Sequence, residues 1–163
     1  MVTVDVSREQ VLDWLSEVAD PEIPVLSITD LGIVRDVTVD DGVTVALTPT
    51  YSGCPATEVI EQSVVDALQK HGIEDVVIER VLSPAWTTDW ISAEGRDKLR
   101  DYGIAPPEEG ASKRALLGST RKIACPRCDS LDTEVVSEFG STACKASYRC
   151  RACLEPFEYF KCI

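Results

Sequence analysis

Gly32-Ile-Val-Arg-Asp-Val-Thr-Val-Asp-Asp-Gly42-Val-Thr-Val-Ala-Leu-Thr48-Pro-Thr-Tyr-Ser-Gly-Cys54-Pro55 holds two strands, a turn, a loop and the start of a helix in one continuous stretch. Residues 32–39 and 43–48 are rich in Val and Thr, whose branched side chains suit a pleated, half-buried surface. Asp41-Gly42 between them signals a hairpin. A turn-rich loop then runs from Pro49 to Cys54, and Pro55 fits the first position of a helix. Val59, Ile60, Val64, Ala67 and Leu68 supply that helix's apolar stripe, and His71-Gly72 closes it. Val76 to Leu82 predicts a third strand. Upstream, Ser7 and Gln10 form a capping box, and Val11, Leu12, Leu15 and Val18 predict a helix over 8–19 that ends at Asp20-Pro21. Downstream, a loop with Pro84, Trp86 and Trp90 leads to a short helix over 92–102, ended by Gly103. The class is α+β: a small mixed domain with a sheet of three or more strands and two or three helices.

The chain has 163 residues, 44% hydrophobic and 27% charged, enough for a packed core and against wholesale disorder. No charge-free apolar run reaches 18 residues, so no membrane span is expected. The amino-terminal stretch lacks a basic segment followed by an apolar one, so no secretory signal is expected. With seven cysteines, an odd number, this points to a reducing, cytoplasmic setting rather than a disulfide framework. The net charge of -12 argues against general nucleic-acid binding. It is uneven: residues 1–110 carry 7 Lys and Arg against 22 Asp and Glu, and residues 111–163 carry 9 against 6, which suggests two units. Residues 104–120, with Pro106-Pro107, Gly110 and Gly118, read as a linker between a domain over 1–103 and a cysteine-bearing tail over 121–163.

Cys125-Pro-Arg-Cys128 and Cys150-Arg-Ala-Cys153 are two paired knuckles separated by 21 residues, the pattern of a four-cysteine zinc ribbon. Zinc takes four soft ligands in a tetrahedron, and two-residue spacing lets one tight turn offer two sulfurs. The stretches 133–139, 148–150 and 157–160 would form the ribbon's strands. So short a unit buries too little to fold alone, and metal supplies what is missing. Unrelated thiols, or iron in a tetrahedral sulfur site, are the alternatives. Four thiolates leave no open position, which argues against a catalytic zinc. Cys144 and Cys162 lie outside the paired knuckles and read as packing residues, with replacement of a ligand as the alternative.

Cys54 stands just before Pro55, where a helix amino terminus stabilises a thiolate. It reads either as a reactive thiol or transient metal ligand, or as a small buried core residue. Asp20 and Glu22 lie in a loop stiffened by Pro21 and Pro24, and read as a solvated turn or, beside Cys54, as part of a weak open site. His71, the single histidine, reads as a helix cap or a ligand, and a nucleophilic mechanism at Cys54 would have to borrow it as base. Trp86 and Trp90 read as a core lid or a docking surface.

The stretch Asp20-Pro-Glu-Ile-Pro-Val-Leu-Ser-Ile-Thr-Asp-Leu-Gly-Ile-Val34 and the loop Thr48 to Pro55 resemble the SufT-like family of iron–sulfur assembly domains. Adding Ser83 to Trp90 and the ending Glu155 to Ile163, the chain resembles the PaaD (PaaJ) family of subunits of the phenylacetyl-CoA epoxidase system. The resemblance implies an α+β assembly domain followed by a zinc ribbon. It implies an accessory role, without catalysis of its own, in which an Fe–S cluster is matured or delivered to the reductase component of a ring-epoxidising oxygenase. Cys54, Asp20 and Glu22 are the positions it carries over for transient iron or cluster handling. Cys125, Cys128, Cys150 and Cys153 would hold a structural zinc. The implied partners are the other oxygenase subunits and, across a homodimer, a second Cys54. Docking within the oxygenase complex is the alternative role.

Overall fold

The computed structural model describes residues 5–108, 110 and 122–161. The chain forms two compact units, Met1–Trp86 and Thr87–Ile163.

In the first unit, α1 (Arg8–Leu15) is opened by Ser7, whose hydroxyl accepts from the Gln10 N–H while the Gln10 side chain accepts from the Ser7 N–H. The periodicity predicts a helix to residue 19, but α1 stops at Leu15. Ser16 caps it, its hydroxyl donating to the Asp13 carbonyl at 2.6 Å, and Val18 reaches the core from a turn instead. Strands β1 (Val34–Val39) and β2 (Val43–Leu47) form the expected antiparallel hairpin. Gly42 is needed there for space: a Cβ would lie 2.7 Å from the Asp75 carbonyl oxygen. Helix α2 (Ala56–Lys70) then crosses to β3 (Val76–Arg80), which pairs parallel to β2. The sheet order is β1-β2-β3.

Val11 and Leu15 of α1, Ile60, Val64 and Leu68 of α2, and Val43, Val45 and Leu47 of β2 are buried together with Ile73. The stretch 20–33 adds Ile23, Leu26, Ile28, Leu31 and Ile33, so it is an inner wall of the core rather than a solvated turn. Asp20 N–H donates to the Leu26 carbonyl and Ile28 N–H to the Val18 carbonyl, closing the stretch on itself.

In the second unit a single 3-10 turn (Thr88–Trp90) precedes α3 (Ala93–Tyr102), capped by Ser92 and ended by Gly103. Arg96 donates to the carbonyls of Thr88 and Pro107, both at 2.9 Å. Strands β4 (Ile104–Ala105), β5 (Thr133–Ser137), β6 (Lys145–Cys150) and β7 (Pro156–Phe160) form a sheet of order β4-β7-β6-β5. Helix α3 runs through Gly103 straight into β4, which pairs with β7, so helix and strand lie in the second unit. Residues 109 and 111–120 of the expected linker lie outside the described residues, as do Arg121 and Cys162 of the tail.

Candidate functional site

Two groups of sulfur occupy the two units. In the second, the sulfurs of Cys125, Cys128, Cys150 and Cys153 all lie within 4.8 Å of one another. Each knuckle is built alike. The Cys125 N–H donates to the Ser130 carbonyl and the Cys150 N–H to the Glu155 carbonyl, both at 2.9 Å. The residue after each second cysteine is left-handed: Asp129 at φ 59° and Leu154 at φ 66°. Asp tolerates that conformation through its short polar side chain, whereas Leu is strained there. Cys125 and Cys150 belong to the small core with Ala105, Ile123, Phe157 and Tyr159.

The sulfurs of Cys125 and Cys153 are 3.7 Å apart and those of Cys128 and Cys150 are 3.6 Å apart. A tetrahedron with metal–sulfur bonds of about 2.3 Å has edges of about 3.8 Å, so the quartet fits one tetrahedral ion. The four thiols differ in their surroundings. The N–H of Cys153 helps hold Cys150 down at about 7, against desolvation. Cys128 is pulled down by the Ser130 N–H, but desolvation and the three neighbouring thiols push it up to about 12. Cys153 receives the Glu155 N–H yet ends above its ordinary value through desolvation and the thiols of Cys150 and Cys125. Four thiolates repel when crowded; a dication relieves that repulsion. The quartet is a metal-binding cluster.

In the first unit, Cys54 lies half-buried where the loop after β2 enters α2. Its carbonyl accepts from the Thr57 N–H at 3.1 Å, its own N–H donates to the Tyr51 carbonyl, and Pro55 is the N-cap. Gly53 is left-handed at φ 76°, and a Cβ there would meet nothing within 4 Å, so its requirement is conformational rather than one of space. At the root of the loop, Thr48 is 1% exposed, and its hydroxyl has no partner among the described residues. The Thr48 N–H donates to the Ile33 carbonyl, and the buried Trp86 donates its indole N–H to the Leu31 carbonyl at 2.7 Å. The stretch 27–33 thus braces both the Cys54 loop and the Trp86 loop at the carboxyl end of β2.

Asp20 is 6% exposed, and its Oδ1 accepts the N–H groups of Glu22 and Ile23, each at 2.8 Å. Sequence reasoning missed Asp30. It is also buried; its Oδ2 accepts the Ser27 N–H, while the Ser27 hydroxyl accepts the Asp30 N–H, both at 3.0 Å. Ser27 and Asp30 sit three apart in a capping-box spacing, a signal that was available in the sequence. Among the described residues, Cys54, Asp20 and Glu22 do not form a group with ligand atoms gathered as those of the tail are. His71 sits at the carboxyl end of α2, its ring stacked on Trp14 with centroids 4.1 Å apart.

The fold and its two sulfur sites define a class: a small α+β domain with a lone loop cysteine, joined to a four-cysteine β-ribbon. Comparison with known proteins agrees. Residues 8–80 match the model of an iron–sulfur cluster assembly protein, and residues 109–161 match the PaaD zinc β-ribbon domain. A relative from Escherichia coli (strain K12), described as one subunit of a "Putative 1,2-phenylacetyl-CoA epoxidase", is 54% identical over 150 residues, 91% of this chain and 89% of the relative. An Fe-S protein maturation auxiliary factor of Porphyromonas gingivalis (strain ATCC BAA-308 / W83) is 36% identical over 57% of this chain and 90% of its own. Among solved structures, a domain of unknown function from Bacillus anthracis has a TM-score of 0.53 at 27% identity, covering 56% of this chain and 90% of its own. A conserved hypothetical protein of Thermotoga maritima has a TM-score of 0.51 at 34% identity, over 61% and 98%. The chain belongs to the PaaD family, an iron–sulfur assembly domain carrying a carboxyl-terminal zinc β-ribbon.

Among the described residues, no helix is long and apolar enough to cross a membrane.

Proposed function

We propose that this chain is an accessory protein of a phenylacetyl-CoA ring-epoxidising oxygenase in phenylacetate degradation, assisting assembly or delivery of an Fe–S cluster to the reductase component. The name of the E. coli relative and those of the Fe–S maturation factors support this reading. The observation that carries it is Cys54, a half-buried thiol at a helix entrance in a loop held by Gly53 and braced from 27–33. Its sulfur takes iron or a cluster edge briefly. Glu22, on a main chain fixed by Asp20, is the carboxylate that assists. One thiolate is too few to keep a cluster, which usually needs four, so the cargo moves on to a tighter site. A second copy of the chain supplies a second Cys54 during the handover. This work takes place in the cytoplasm, where a free thiol stays reduced. The tail quartet holds one structural zinc, which supplies folding energy and leaves no coordination position for chemistry.

The test is cluster occupancy of the reductase, by absorbance and iron content, when it is produced with the wild type or with Cys54→Ala. Occupancy should fall with the variant while the variant stays folded. Equal occupancy would remove Cys54 from the pathway.

A second reading, a docking subunit of the oxygenase, is favoured by one observation. Among the described residues, five of the nine exposed large apolar side chains lie on the ribbon: Leu131, Val135, Val136, Phe139 and Leu154. Co-purification with the oxygenase at fixed stoichiometry would support docking. A complex that forms only while the reductase lacks its cluster would support maturation.

A further inference from the structure

The quartet is lopsided. Cys125 and Cys150, the first cysteines of their knuckles, are 0% exposed, whereas Cys128 and Cys153, the second ones, are exposed. The cause is local. The first cysteines sit in the small core with Ile123, Phe157 and Tyr159, and the Cys153 N–H covers the Cys150 sulfur at 3.5 Å. The second cysteines stand at the outer corners, followed by the left-handed Asp129 and Leu154, both exposed. A metal-bound sulfur is a thiolate, and a thiolate's oxidation follows its access to the oxidant. The two knuckles therefore present one exposed cysteine each, and all four sulfurs already lie within 4.8 Å.

We propose that Cys128 and Cys153 form an oxidation site for hydroperoxides, and that joining them releases the ion and unlocks the ribbon. In the first step the thiolate of one attacks a peroxide oxygen. The S–O bond forms, the O–O bond breaks, and hydroxide leaves from hydrogen peroxide, or alkoxide from an organic hydroperoxide. In the second step the other thiolate attacks the sulfenic sulfur. The S–S bond forms, the S–O bond breaks, and hydroxide leaves. Two electrons from the two sulfurs have reduced one peroxide. The buried Cys125 and Cys150 are then two ligands where a tetrahedral site needs four, so the ion departs. This inference needs the ribbon's ion but makes no use of Cys54.

The test treats the zinc-loaded full chain with hydrogen peroxide. Ion release is followed with a chromogenic chelator, sulfenic acid is trapped early with dimedone, and the final thiols are mapped by differential alkylation and mass spectrometry. The expected result is one ion released per two thiols lost, a linked Cys128–Cys153 peptide pair, and dimedone on those two at least about tenfold above Cys125 and Cys150. Reduction by a dithiol with added zinc restores the ion. Zinc retained while Cys54 or Cys144 is oxidised, or first labelling at Cys125 or Cys150, would overturn the proposal.

Discussion

The first unit fills its interior with Val11, Leu15, Leu26, Ile28, Val64 and Leu68 from two helices and a long inner loop, whereas two of the six residues at the centre of the ribbon's core are cysteines of the quartet. The contrast shows two ways of stabilising a short piece of chain. Where apolar area suffices, the core does without sulfur, and Cys54 stays half-buried in a loop at its edge. Where it does not, sulfur is spent on an ion, and each knuckle carries a left-handed residue to bring its pair together.

The largest effect should come from removing the ion. Chelation, or Cys150→Ser, deletes a contribution of roughly 10–16 kcal/mol by the measure of zinc-finger peptides, more than most small domains have to spare. Amide exchange should then become fast across β5 to β7 and remain slow in α2 and β2. If protection in β2 collapsed as well, the two units would not be energetically separate. Next in size, Leu68→Ala should cost about 2–5 kcal/mol in the first unit, read by denaturant melting of its helices, with metal content unchanged.

Asp20→Ala should cost about 1–3 kcal/mol, since it strands the N–H groups of Glu22 and Ile23 in a buried loop. Asp20→Asn, which keeps an acceptor, should restore most of that in the same melt. Thr48→Val should do the opposite, raising stability by about 1 kcal/mol because its buried hydroxyl has no partner among the described residues. A Thr48→Val protein that was less stable than wild type would show that the hydroxyl is satisfied in solution.

A pH effect belongs to the ribbon. Burial raises Glu158, but the Ser141 N–H and hydroxyl and the Lys145 ammonium, 3.2 Å away, outweigh it and hold the carboxyl below its usual range. A depressed folded value means that the stability is present above the unfolded value and is lost as pH falls through the folded one. Acid should therefore loosen the ribbon, and Glu158→Gln should flatten that slope in an acid titration of the metal-loaded protein.

The sequence showed what depends on neighbours: the hairpin about Gly42, the Ser7–Gln10 box, the entry of α2 after Pro55 and the two knuckles. It hid what depends on distant partners. Ile23, Leu26, Ile28, Leu31 and Ile33 follow neither a helical nor a strand period, so their burial could not be seen in a pattern. Two residues of β4 carry no signal without β7 beside them. The loop of Cys54 was legible as a turn before a helix; its bracing by the carbonyls of Leu31 and Ile33 was not, since those bonds join residues 15 and 55 positions apart.

Metal analysis of the purified chain with and without Cys54 tests most directly whether the tail quartet and Cys54 have separate duties. The expectation is one zinc per chain in both proteins, with labile iron on the wild type alone after exposure to iron and sulfide. Zinc that falls when Cys54 is replaced, or iron that stays without it, would contradict the account.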